Sequence, residues 1–476
     1  MGRRGWSRAR RSAGERGVSV AEKTADLVIL GGGSGGYACA LRAAELGLSV
    51  VLVEKDKLGG TCLHRGCIPT KALLHAADVA DHARDGGRVG IRSTLDGIDM
   101  DGVNSYKDGV VGKLYKGLTS LVSARGITLV DGAGTFVGDR TVAVGDDRYT
   151  GTTVVLATGS YARTLPGLEI GGRIVTSDQA ISLDEAPERV VVLGGGVIGV
   201  EFASVWRSFG AEVTVVEALP HLVPSEDEFA SKLLERAFRR RKIKARTGVT
   251  FAGARTAGDT VTVELESGEE IEADLLLVAV GRGPNTTGHG YSEAGLAMER
   301  GFVVVDERQR TNLDGVYAVG DITPGFQLAH RGFAHGIFVA EEIAGLSPTP
   351  VADAGIPRVT YCEPEVASVG LTEAQAREQH DDVRTVTYDL GGNGKSQILQ
   401  TAGAVKLVQA GDDGPVVGVH MVGSRVGELI GEAQLIYNWE ALPADVAAHV
   451  HAHPTQNEAL GEAHLALAGK PLHTHG

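Results

Sequence analysis

The sequence predicts an α/β fold in which one strand–helix–strand unit occurs twice. Short apolar runs, typical of strands buried on both faces, lead directly into glycine-rich segments at two places in the chain. A helical stretch and a second apolar run follow each segment. Glycine is also abundant, with 67 residues among 476, and it has no collagen period. This composition suits many tight turns between strands and helices.

The first unit lies near the beginning of the chain. Leu27–Leu30 is predicted to be a buried strand, and it leads into the segment Gly31–Gly36. A helix over Tyr37–Leu46 and a strand over Ser49–Val53 follow, and the second strand ends at Glu54. These elements make one βαβ unit.

The second unit repeats this order. The strand Val190–Leu193 leads into Gly194–Gly199, and a helix then runs through Phe209. The returning strand, Glu212–Val216, ends at Glu217. In both units the acidic residue comes 23 positions after the first glycine. The repeat predicts two nucleotide sites, because strand, helix and acidic residue all stand where this motif requires them.

Each position of the motif has a physical role in binding a dinucleotide. The first glycine permits a tight turn, the second lets the backbone approach a pyrophosphate, and the third allows close helix–strand packing. The helix N-terminus supplies amide donors, and the acidic residue accepts hydrogen bonds from ribose hydroxyls. These residues are Gly31, Gly33, Gly36 and Glu54 in the first unit and Gly194, Gly196, Gly199 and Glu217 in the second. Ordinary glycine turns are the alternative for each copy.

Glu217 also bears on the choice of nucleotide. A carboxylate at this position would repel a 2′-phosphate, and no arginine follows it within Ala218–His221. The second site is therefore predicted to take NAD rather than NADP.

Two cysteines, Cys62 and Cys67, follow the first unit. In a regular helix, residues five positions apart are separated by about 7.5 Å along the axis. A disulfide needs Cα atoms within about 7 Å. Bridging this pair therefore requires a loop or a distorted first helical turn, which Gly66 and Pro69 allow.

We interpret Cys62 and Cys67 as a redox-active pair. A helix beginning near Pro69 would lower the thiol pKa values, and His64 and Arg65 are expected to act in the same direction. The alternatives are half of a zinc site or two buried apolar cysteines. No second cysteine pair completes a zinc site, since the other two cysteines, Cys39 and Cys362, stand alone and are expected to be packing residues.

Three histidines near the C-terminus alternate along the chain. On a strand, His449, His451 and His453 would face one side and could bind a metal. Glu458 lies five residues beyond His453, which fits an acid–base dyad better, because the carboxylate would fix the imidazole tautomer and raise its basicity. We therefore predict a dyad and no metal.

Composition excludes several partners. Acidic residues outnumber basic ones by 60 to 46, and the formal charge of −14 disfavours nucleic acid and anionic membranes. No apolar run reaches the roughly 18 residues of a spanning helix. Four cysteines do not make a secreted disulfide scaffold, so we expect a cytoplasmic protein.

Residues 1–21 are expected to be a disordered or non-native leader. The first twenty residues contain six arginines, one acidic residue and no apolar segment of the kind found in a secretory signal. The leader is either a mitochondrial presequence or sequence translated upstream of the true start.

Together these motifs resemble the pyridine nucleotide–disulfide oxidoreductase family. The two glycine segments and the cysteine segment Gly59–Lys71 match, and the resemblance runs from Asp26 to the C-terminus. Further matching blocks follow in the family order, namely Ala157–Gly159, Val280–Arg282, Tyr317–Asp321 and His453–Glu458.

The resemblance implies an α/β fold with two Rossmann-like nucleotide-binding domains, one for FAD and one for NAD, and a C-terminal α+β dimerisation domain. The implied domains are FAD-binding over 22–165 and 294–350, NAD-binding over 166–293, and interface over 351–476.

The resemblance also implies roles for individual residues. Cys62 would be the interchange thiol and Cys67 the thiol nearer the flavin, with His453 and Glu458 as the catalytic dyad. Lys71 would pair with Glu201 near the flavin, although a solvated lysine is the alternative. Implied FAD contacts are Gly31, Gly33, Ser34, Gly35, Gly36, Glu54, Lys55, Gly60, Thr61, Cys62, Lys71, Gly134, Ala157, Thr158, Gly159, Asp321, Gln327, Leu328, Ala329 and His330. Implied NAD contacts are Gly194, Gly196, Val197, Ile198, Gly199, Glu201, Glu217, Val249 and Gly281.

Three markers resemble the branch of the family that oxidises dihydrolipoamide: Glu217, Leu328–Arg331 and Tyr361–Gly370. The branch implies oxidation of protein-bound dihydrolipoamide with reduction of NAD, in a homodimer. The implied partners are lipoylated domains and the acyltransferase core of 2-oxo acid dehydrogenase complexes. His64 and Arg65 depart from the usual Asn-Val between the cysteines, which changes the local charge. The alternatives are an NAD(P)H-dependent reductase of a small disulfide such as glutathione, and a flavin diaphorase or quinone reductase.

Overall fold

The structure is a computed structural model that describes residues 22–473, so the predicted leader over 1–21 lies outside the described residues. The first elements are β1 (Glu22–Leu30), α1 (Ser34–Glu45), β2 (Val50–Glu54), α2 (Gly60–His64), α3 (Cys67–Asp85), α4 (Met100–Ala124), β3 (Thr128–Asp131), β4 (Gly134–Phe136), β5 (Thr141–Val144), β6 (Asp147–Leu156) and β7 (Ser160–Ala162). Strands β3, β2, β1 and β6 form a parallel sheet in that order, and β5 and β4 extend it in antiparallel fashion.

The second unit builds its own sheet. Its elements are β8 (Ile174–Thr176), α5 (Ser177–Ala180), β9 (Arg189–Leu193), α6 (Val197–Phe209), β10 (Glu212–Glu217), α7 (Glu228–Arg240), β11 (Lys244–Thr247), β12 (Phe251–Ala257), β13 (Thr260–Leu265), β14 (Glu270–Ala273) and β15 (Leu275–Val278). The parallel order is β11-β10-β9-β15-β8, and β12, β13 and β14 form a separate antiparallel sheet.

The chain then returns to the first sheet. The returning elements are β16 (Arg282–Pro284), β17 (Met298–Glu299), β18 (Phe302–Val303), β19 (Val316–Ala318) and α8 (Ala329–Ile343). Strand β19 pairs with β6 in parallel, and β16 pairs with β7 in antiparallel fashion. The outgoing and returning connections therefore run side by side.

The C-terminal region is a five-stranded antiparallel sheet with helices packed on it. Its elements are β20 (Arg358–Thr360), β21 (Glu365–Gly370), α9 (Glu373–Gln379), β22 (Val383–Asp389), α10 (Gly394–Leu399), β23 (Ala404–Ala410), β24 (Val416–Gly423), α11 (Val426–Asn438), α12 (Pro443–Ala447) and α13 (Glu458–Leu467). The strand order is β20-β21-β24-β23-β22, and the apolar faces of α11 and α13 pack against this sheet.

The central strands of both units are buried on two faces, as their continuous apolar sequences predict. Along β1, Leu27 and Ile29 belong to one apolar cluster, whereas Val28 and Leu30 belong to another. The same alternation occurs along β9. The predicted α/β class is confirmed, while the proposed domain limits stay a prediction. No helix among residues 22–473 is long and apolar enough to cross a membrane.

Candidate active site

The first glycine segment leaves open space at the N-terminus of α1. Gly31 has φ +107°, and a Cβ there would lie 2.3 Å from the carbonyl oxygen of Ala157. A Cβ on Gly36 would lie 1.8 Å from the carbonyl oxygen of Gly31, so helix and turn are in direct contact. A Cβ on Gly33 would meet no atom within 4 Å. The open side of Gly33 is where the motif places a pyrophosphate.

The second segment repeats this geometry. Gly194 has φ +108°, and a Cβ there would lie 2.4 Å from the carbonyl oxygen of Ala279. A Cβ on Gly199 would lie 1.9 Å from the carbonyl oxygen of Gly194, whereas Gly196 again faces open space. The two units therefore offer equivalent cradles, and the residues present fit FAD and NAD.

The acidic residue of each unit is held by backbone amides. Gly32 N donates to Oε2 of Glu54 at 2.7 Å, and Gly195 N donates to Oε2 of Glu217 at 2.6 Å. In each case Oε1 accepts from the amide two residues further along the chain. Since each carboxylate oxygen has a further lone pair, both carboxylates can still accept a ribose hydroxyl.

The cysteine segment begins beside the first cradle. Gly59 N donates to the carbonyl oxygen of Gly32 at 2.9 Å. Gly60 has φ +56°, and a Cβ there would lie 2.8 Å from Cα of Gly33. Helix α2, which contains Thr61 and Cys62, therefore starts against the glycine loop.

Cys62 and Cys67 lie on two helices rather than one. Helix α2 ends at His64 and α3 begins at Cys67, with a break at Gly66 whose φ is −137° and ψ is −106°. This break is the distortion that the five-residue spacing requires. The predicted helix start near Pro69 is thus two residues too late.

The two thiols are electrostatically unequal. Both cysteines are free thiols in the structure, and hydrogen bonding between their side chains shifts their two pKa values in opposite directions. This hydrogen bond lowers the pKa of Cys67 to about 7, with further help from the charge of Lys71, against the opposing effect of burial. The same hydrogen bond and burial raise the pKa of Cys62. Cys67 is thus the thiol that ionises first.

The cation that acts on Cys67 is Lys71. His64 Nε2 lies 2.8 Å from the carbonyl oxygen of Leu58, and Arg65 pairs with Asp56 at 2.9 Å. The structure therefore assigns to Lys71 the effect expected of His64 and Arg65.

Lys71 pairs with Glu201, as the family resemblance implies. Lys71 Nζ lies 2.9 Å and 2.8 Å from the two carboxylate oxygens of Glu201, which is buried. The alternative of a solvated lysine is contradicted. Because Glu201 is on α6 and Lys71 on α3, this ion pair joins the redox helix to the second nucleotide unit.

Asp321 is oriented by Ser160 and Arg282, through contacts that the sequence did not reveal. Ser160 Oγ donates to Oδ2 of Asp321 at 2.6 Å, and Arg282 Nε donates to Ser160 Oγ at 2.8 Å. Ser160 directly follows the Ala157–Gly159 block, and Arg282 closes the Val280–Arg282 block, so both lay beside recognised motifs.

The residues before α8 gather around the same loop. Gln327 Nε2 donates to the carbonyl oxygen of Asp321 at 3.2 Å, and α8 begins at Ala329. Leu328 is the residue before the helix, and His330 Nε2 lies 2.7 Å from the carbonyl oxygen of Pro357. Gln327 is thus brought to Asp321, whereas His330 contacts the segment that leads into β20.

Arg331, the last residue of the Leu328–Arg331 marker, has contacts that the sequence did not reveal. It is buried, and its guanidinium donates to Oδ1 of Asp353 at 2.7 Å and to Oγ1 of Thr323 at 3.3 Å. It also reaches the carbonyl oxygen of Gly320 at 3.4 Å. Arg331 therefore anchors the loop that carries Asp321, a role that a basic residue in a helical sequence does not reveal.

The remaining predicted cofactor residues have varied surroundings. Thr158 Oγ1 donates to the carbonyl oxygen of Asn285 at 2.7 Å and lies 2.9 Å from the hydroxyl of buried Tyr291. Gly134 is packed, since a Cβ there would lie 2.5 Å from the Leu30 side chain.

On the NAD side, Val249 N donates to the carbonyl oxygen of Glu217 at 3.0 Å. Gly281 has φ +108°. Ser34 and Gly35 open α1, and Val197 and Ile198 open α6, each beside its cradle. Lys55, Gly159 and Thr61 adjoin residues of the first cradle in sequence or space, and their contacts with FAD stay predictions.

His453 and Glu458 form the predicted pair. His453 Nδ1 lies 2.9 Å from Oε1 of Glu458, and Thr455 N donates to Oε2 at 2.8 Å. Burial raises the pKa of Glu458, but the Thr455 amide and His453 outweigh it and hold this pKa below its usual range. Because a carboxylate only accepts, Nδ1 carries the proton and Nε2 is left as a base. The His453 side chain is 77 % exposed.

The alternating histidines do not converge. His451 Nε2 lies 2.8 Å from Oε1 of Glu432, a different carboxylate from the one that holds His453. Within residues 22–473, no group of three His, Cys, Asp or Glu side chains could hold a metal ion.

The comparison with known protein families agrees with the geometry of this site. Residues 25–336 match the model of the pyridine nucleotide-disulphide oxidoreductases, and residues 356–464 match the dimerisation domain of that family. The chain therefore belongs to the pyridine nucleotide-disulphide oxidoreductases. It is an oxidoreductase, and the cofactors of this class are FAD and NAD.

Individual relatives are similar to this chain over nearly its whole length. The chain is 38 % identical over 468 residues to a dihydrolipoyl dehydrogenase of Bacillus subtilis, covering 94 % of this chain and 99 % of the relative. It is 38 % identical to the mitochondrial dihydrolipoyl dehydrogenase of Pisum sativum, covering 94 % and 92 %.

Two solved structures have the same fold as this chain. LpdA from Mycobacterium tuberculosis superposes with a TM-score of 0.87 at 26 % identity, covering 94 % of this chain and 99 % of that one. The HOCl-induced flavoprotein disulfide reductase RclA from Escherichia coli gives 0.83 at 26 % identity, covering 92 % and 99 %.

Proposed function

We propose that this chain oxidises dihydrolipoamide to lipoamide and reduces NAD⁺ to NADH, with Cys62 and Cys67 as its redox-active disulfide. The observation that carries the proposal is the placement of this unequal thiol pair against the first dinucleotide cradle, with the Lys71–Glu201 ion pair linking it to the second unit. The names of the relatives support dihydrolipoamide as the substrate.

The first step is a proton transfer. Nε2 of His453, fixed by Glu458, takes the proton of one substrate thiol. The resulting thiolate attacks Sγ of Cys62, the Cys62–Cys67 bond breaks, and Cys67 leaves as a thiolate. The lowered pKa of Cys67 makes it the better leaving group.

The second substrate thiol then attacks the substrate sulfur in the mixed disulfide. The lipoamide S–S bond forms, Cys62 leaves, and it takes the proton of the attacking thiol. The Cys62–Cys67 pair has now been reduced by two electrons. One of the two substrate protons is on Cys62 and the other is on His453.

FAD, when bound, supplies the two-electron carrier between the thiols and NAD⁺. The residues that would hold FAD are those around Gly33, Asp321 and the start of α8. Those around Gly196 and Glu217 would hold NAD.

The proposal includes a homodimer. His453 is exposed, and within residues 22–473 none of its polar contacts reaches Cys62 or Cys67 of the same chain. A second copy would bring its His453 to the cysteine pair, and the matched dimerisation domain supports this arrangement. Lipoylated domains and the acyltransferase core of 2-oxo acid dehydrogenase complexes are the proposed partners, in the cytoplasm.

A second candidate is the reduction of a small disulfide such as glutathione. The similarity to a flavoprotein disulfide reductase favours it, since the same thiol pair runs in either direction. A diaphorase or quinone reductase activity would accompany either function.

An anaerobic absorbance titration tests the proposal. Dihydrolipoamide is added to the purified yellow protein, and NAD⁺ follows. We expect a long-wavelength thiolate–flavin band that rises and then vanishes as NADH forms. If dihydrolipoamide has no effect while NADH bleaches the flavin, the substrate assignment is wrong, and small disulfides are tested next.

A further inference from the structure

Tyr361 contacts both members of the Lys71–Glu201 pair. Its ring lies under Lys71, with Nζ 4.7 Å from the ring centroid. Its backbone N–H donates to Oε1 of Glu201 at 2.9 Å. Tyr361 belongs to the segment between β20 and β21, which is part of the C-terminal region. Helix α3, helix α6 and the C-terminal region therefore meet at the ammonium group of Lys71.

We propose that Tyr361 is a positioning residue that fixes Lys71 and Glu201 beside Cys67, so that the C-terminal region sets the charge at the redox thiol. This inference rests on the proposed function of Cys67 and extends it to a residue outside both nucleotide units.

The Tyr361 segment is held firmly against α6. Glu363 N donates to Oγ of Ser204 at 3.1 Å, one helical turn from Glu201. Buried Cys362 belongs to the same apolar cluster as Leu73 of α3 and the buried residues of α6. The backbone that carries the Tyr361 ring is therefore packed against α3 and α6.

The position of the ammonium group matters because two opposite charges act on Cys67. Lys71 lowers the pKa of Cys67, whereas Glu201 raises it. The net effect depends on the distance of each group from the sulfur and on how much water screens it. The ring of Tyr361 covers Lys71 and attracts its charge. The Lys71 side chain is 33 % exposed, and without the ring more water would reach it and weaken its effect on the sulfur.

Other charged groups face this cluster. Asp321 acts on Cys62, and Glu365 and Glu428 act on Tyr361. Burial raises the pKa of Glu365 to about 7, close to that of Cys67, so a Glu365→Gln variant is measured alongside.

The test measures the pH dependence of Cys67 alkylation. The reduced protein, with and without FAD, reacts with iodoacetamide, and peptide mass identifies the modified cysteine. Tyr361→Leu and Tyr361→Met remove the ring but keep the backbone amide, and we expect the alkylation midpoint to rise by about 0.5 pH unit. Tyr361→Phe keeps the ring, and Tyr106→Leu makes the same change at an exposed tyrosine of α4, so both should leave the midpoint unchanged.

A double variant separates positioning from a general structural effect. Lys71→Met should raise the midpoint alone, and Tyr361→Leu on that background should add nothing, since its effect acts through Lys71. An unchanged midpoint in both ring-removing variants, or an equal shift on the Lys71→Met background, would overturn the proposal. If wild-type protein does not oxidise dihydrolipoamide but the midpoint shifts as expected, the substrate assignment fails while the role of Tyr361 stands.

Discussion

At the scale of single residues, the chemistry depends on the inequality of two thiols five positions apart. The break at Gly66 places Cys67 at the first position of α3, where the Cys62 thiol and the Lys71 ammonium group both lower its pKa. The pKa of Cys67 falls while that of Cys62 rises. One thiol is therefore suited to exchange with substrate and the other to hold negative charge.

Serine at either position should abolish the oxidation of dihydrolipoamide. Cys62→Ser and Cys67→Ser each remove one partner of the disulfide, yet neither side chain fills the dinucleotide cradle, so the protein should remain yellow. Cys39→Ala, a buried cysteine in a separate apolar cluster, is the matched control and should stay active. Turnover of dihydrolipoamide in either serine variant would refute the redox pair.

His453→Ala should depress dihydrolipoamide turnover by roughly 10²–10⁴-fold, because it removes the base that takes the thiol proton. Reduction of a flavin-linked acceptor by NADH, which needs no thiol deprotonation, should change little. His449→Ala alters an exposed histidine four residues away and serves as the control. A normal rate in His453→Ala would place the base elsewhere.

Residue identity at the site was accessible from sequence wherever a motif carried it. Cys62, Cys67, His453 and Glu458 were recognised in this way, and the structure places each pair together. Arg282, Arg331 and Tyr361 stand inside matching blocks and Ser160 beside one, but their contacts were not predicted, because these join positions more than 100 residues apart or depend on burial. Pairwise contacts of this kind have no local sequence pattern.

At the scale of elements, different glycines of one segment serve packing and cofactor binding. Gly199 touches the turn, so an alanine there would clash with the carbonyl oxygen of Gly194. Gly196 has φ −75° and open space around its missing Cβ, so alanine fits the folded protein but fills the cradle.

Gly196→Ala should therefore raise the KM for NAD⁺ roughly tenfold, with unchanged FAD content and thermal stability. Gly199→Ala should instead lower the melting temperature and the yield of folded protein. Steady-state kinetics and calorimetry on both variants check this contrast. An unaltered KM in Gly196→Ala would mean that the nucleotide does not approach this glycine.

Helix α13 should make folding stability depend on pH. His464 is fully buried, and burial lowers its pKa to about 4 from 6.5. In the unfolded chain the imidazole of His464 binds a proton below about pH 6.5, whereas in the folded chain it binds one only near pH 4. The free energy of unfolding therefore falls as the pH drops from about 6.5 toward 4. Between pH 7 and pH 5 this single group should cost about 2 kcal/mol.

Urea denaturation at these two pH values measures the effect. The loss of stability should be smaller in His464→Leu than in wild type, while exposed His449→Leu should behave as wild type. Equal pH dependence in wild type and His464→Leu would contradict the assignment.

The elements themselves were predictable to different degrees. The strands and helices of both βαβ units follow from continuous apolar runs and glycine spacing. Strand β9 and helix α6 lie where these patterns put them, whereas β1 begins five residues and α1 three residues earlier than predicted. The antiparallel sheet of β12, β13 and β14 was not predicted. Strand β13 alternates strictly between half-buried and buried residues, but its partners β12 and β14 are half exposed and carry few apolar residues. The split of the cysteine segment into α2 and α3 required knowledge of backbone angles at Gly66.

At the scale of the whole molecule, parts of the site lie on opposite ends of the chain. The thiols follow the first unit, Glu201 lies in the second, and His453 is carried by the C-terminal sheet and helices. The crossing strands β7 and β16, with the Arg282–Ser160–Asp321 contacts, tie the two nucleotide units together. Exposed His453 has no contact with the thiols of its own chain, so catalysis should need two copies.

A hybrid dimer tests this central claim most directly. Cys62→Ser and His453→Ala subunits carrying different affinity tags are co-expressed, and the hybrid is isolated by two successive purifications. If each site combines the cysteines of one subunit with His453 of the other, the hybrid contains one site with both changes and one intact site. It should then regain about half the dihydrolipoamide turnover of the wild-type dimer, although both parent variants are inactive. A hybrid as inactive as its parents would show that each chain contains its own complete site.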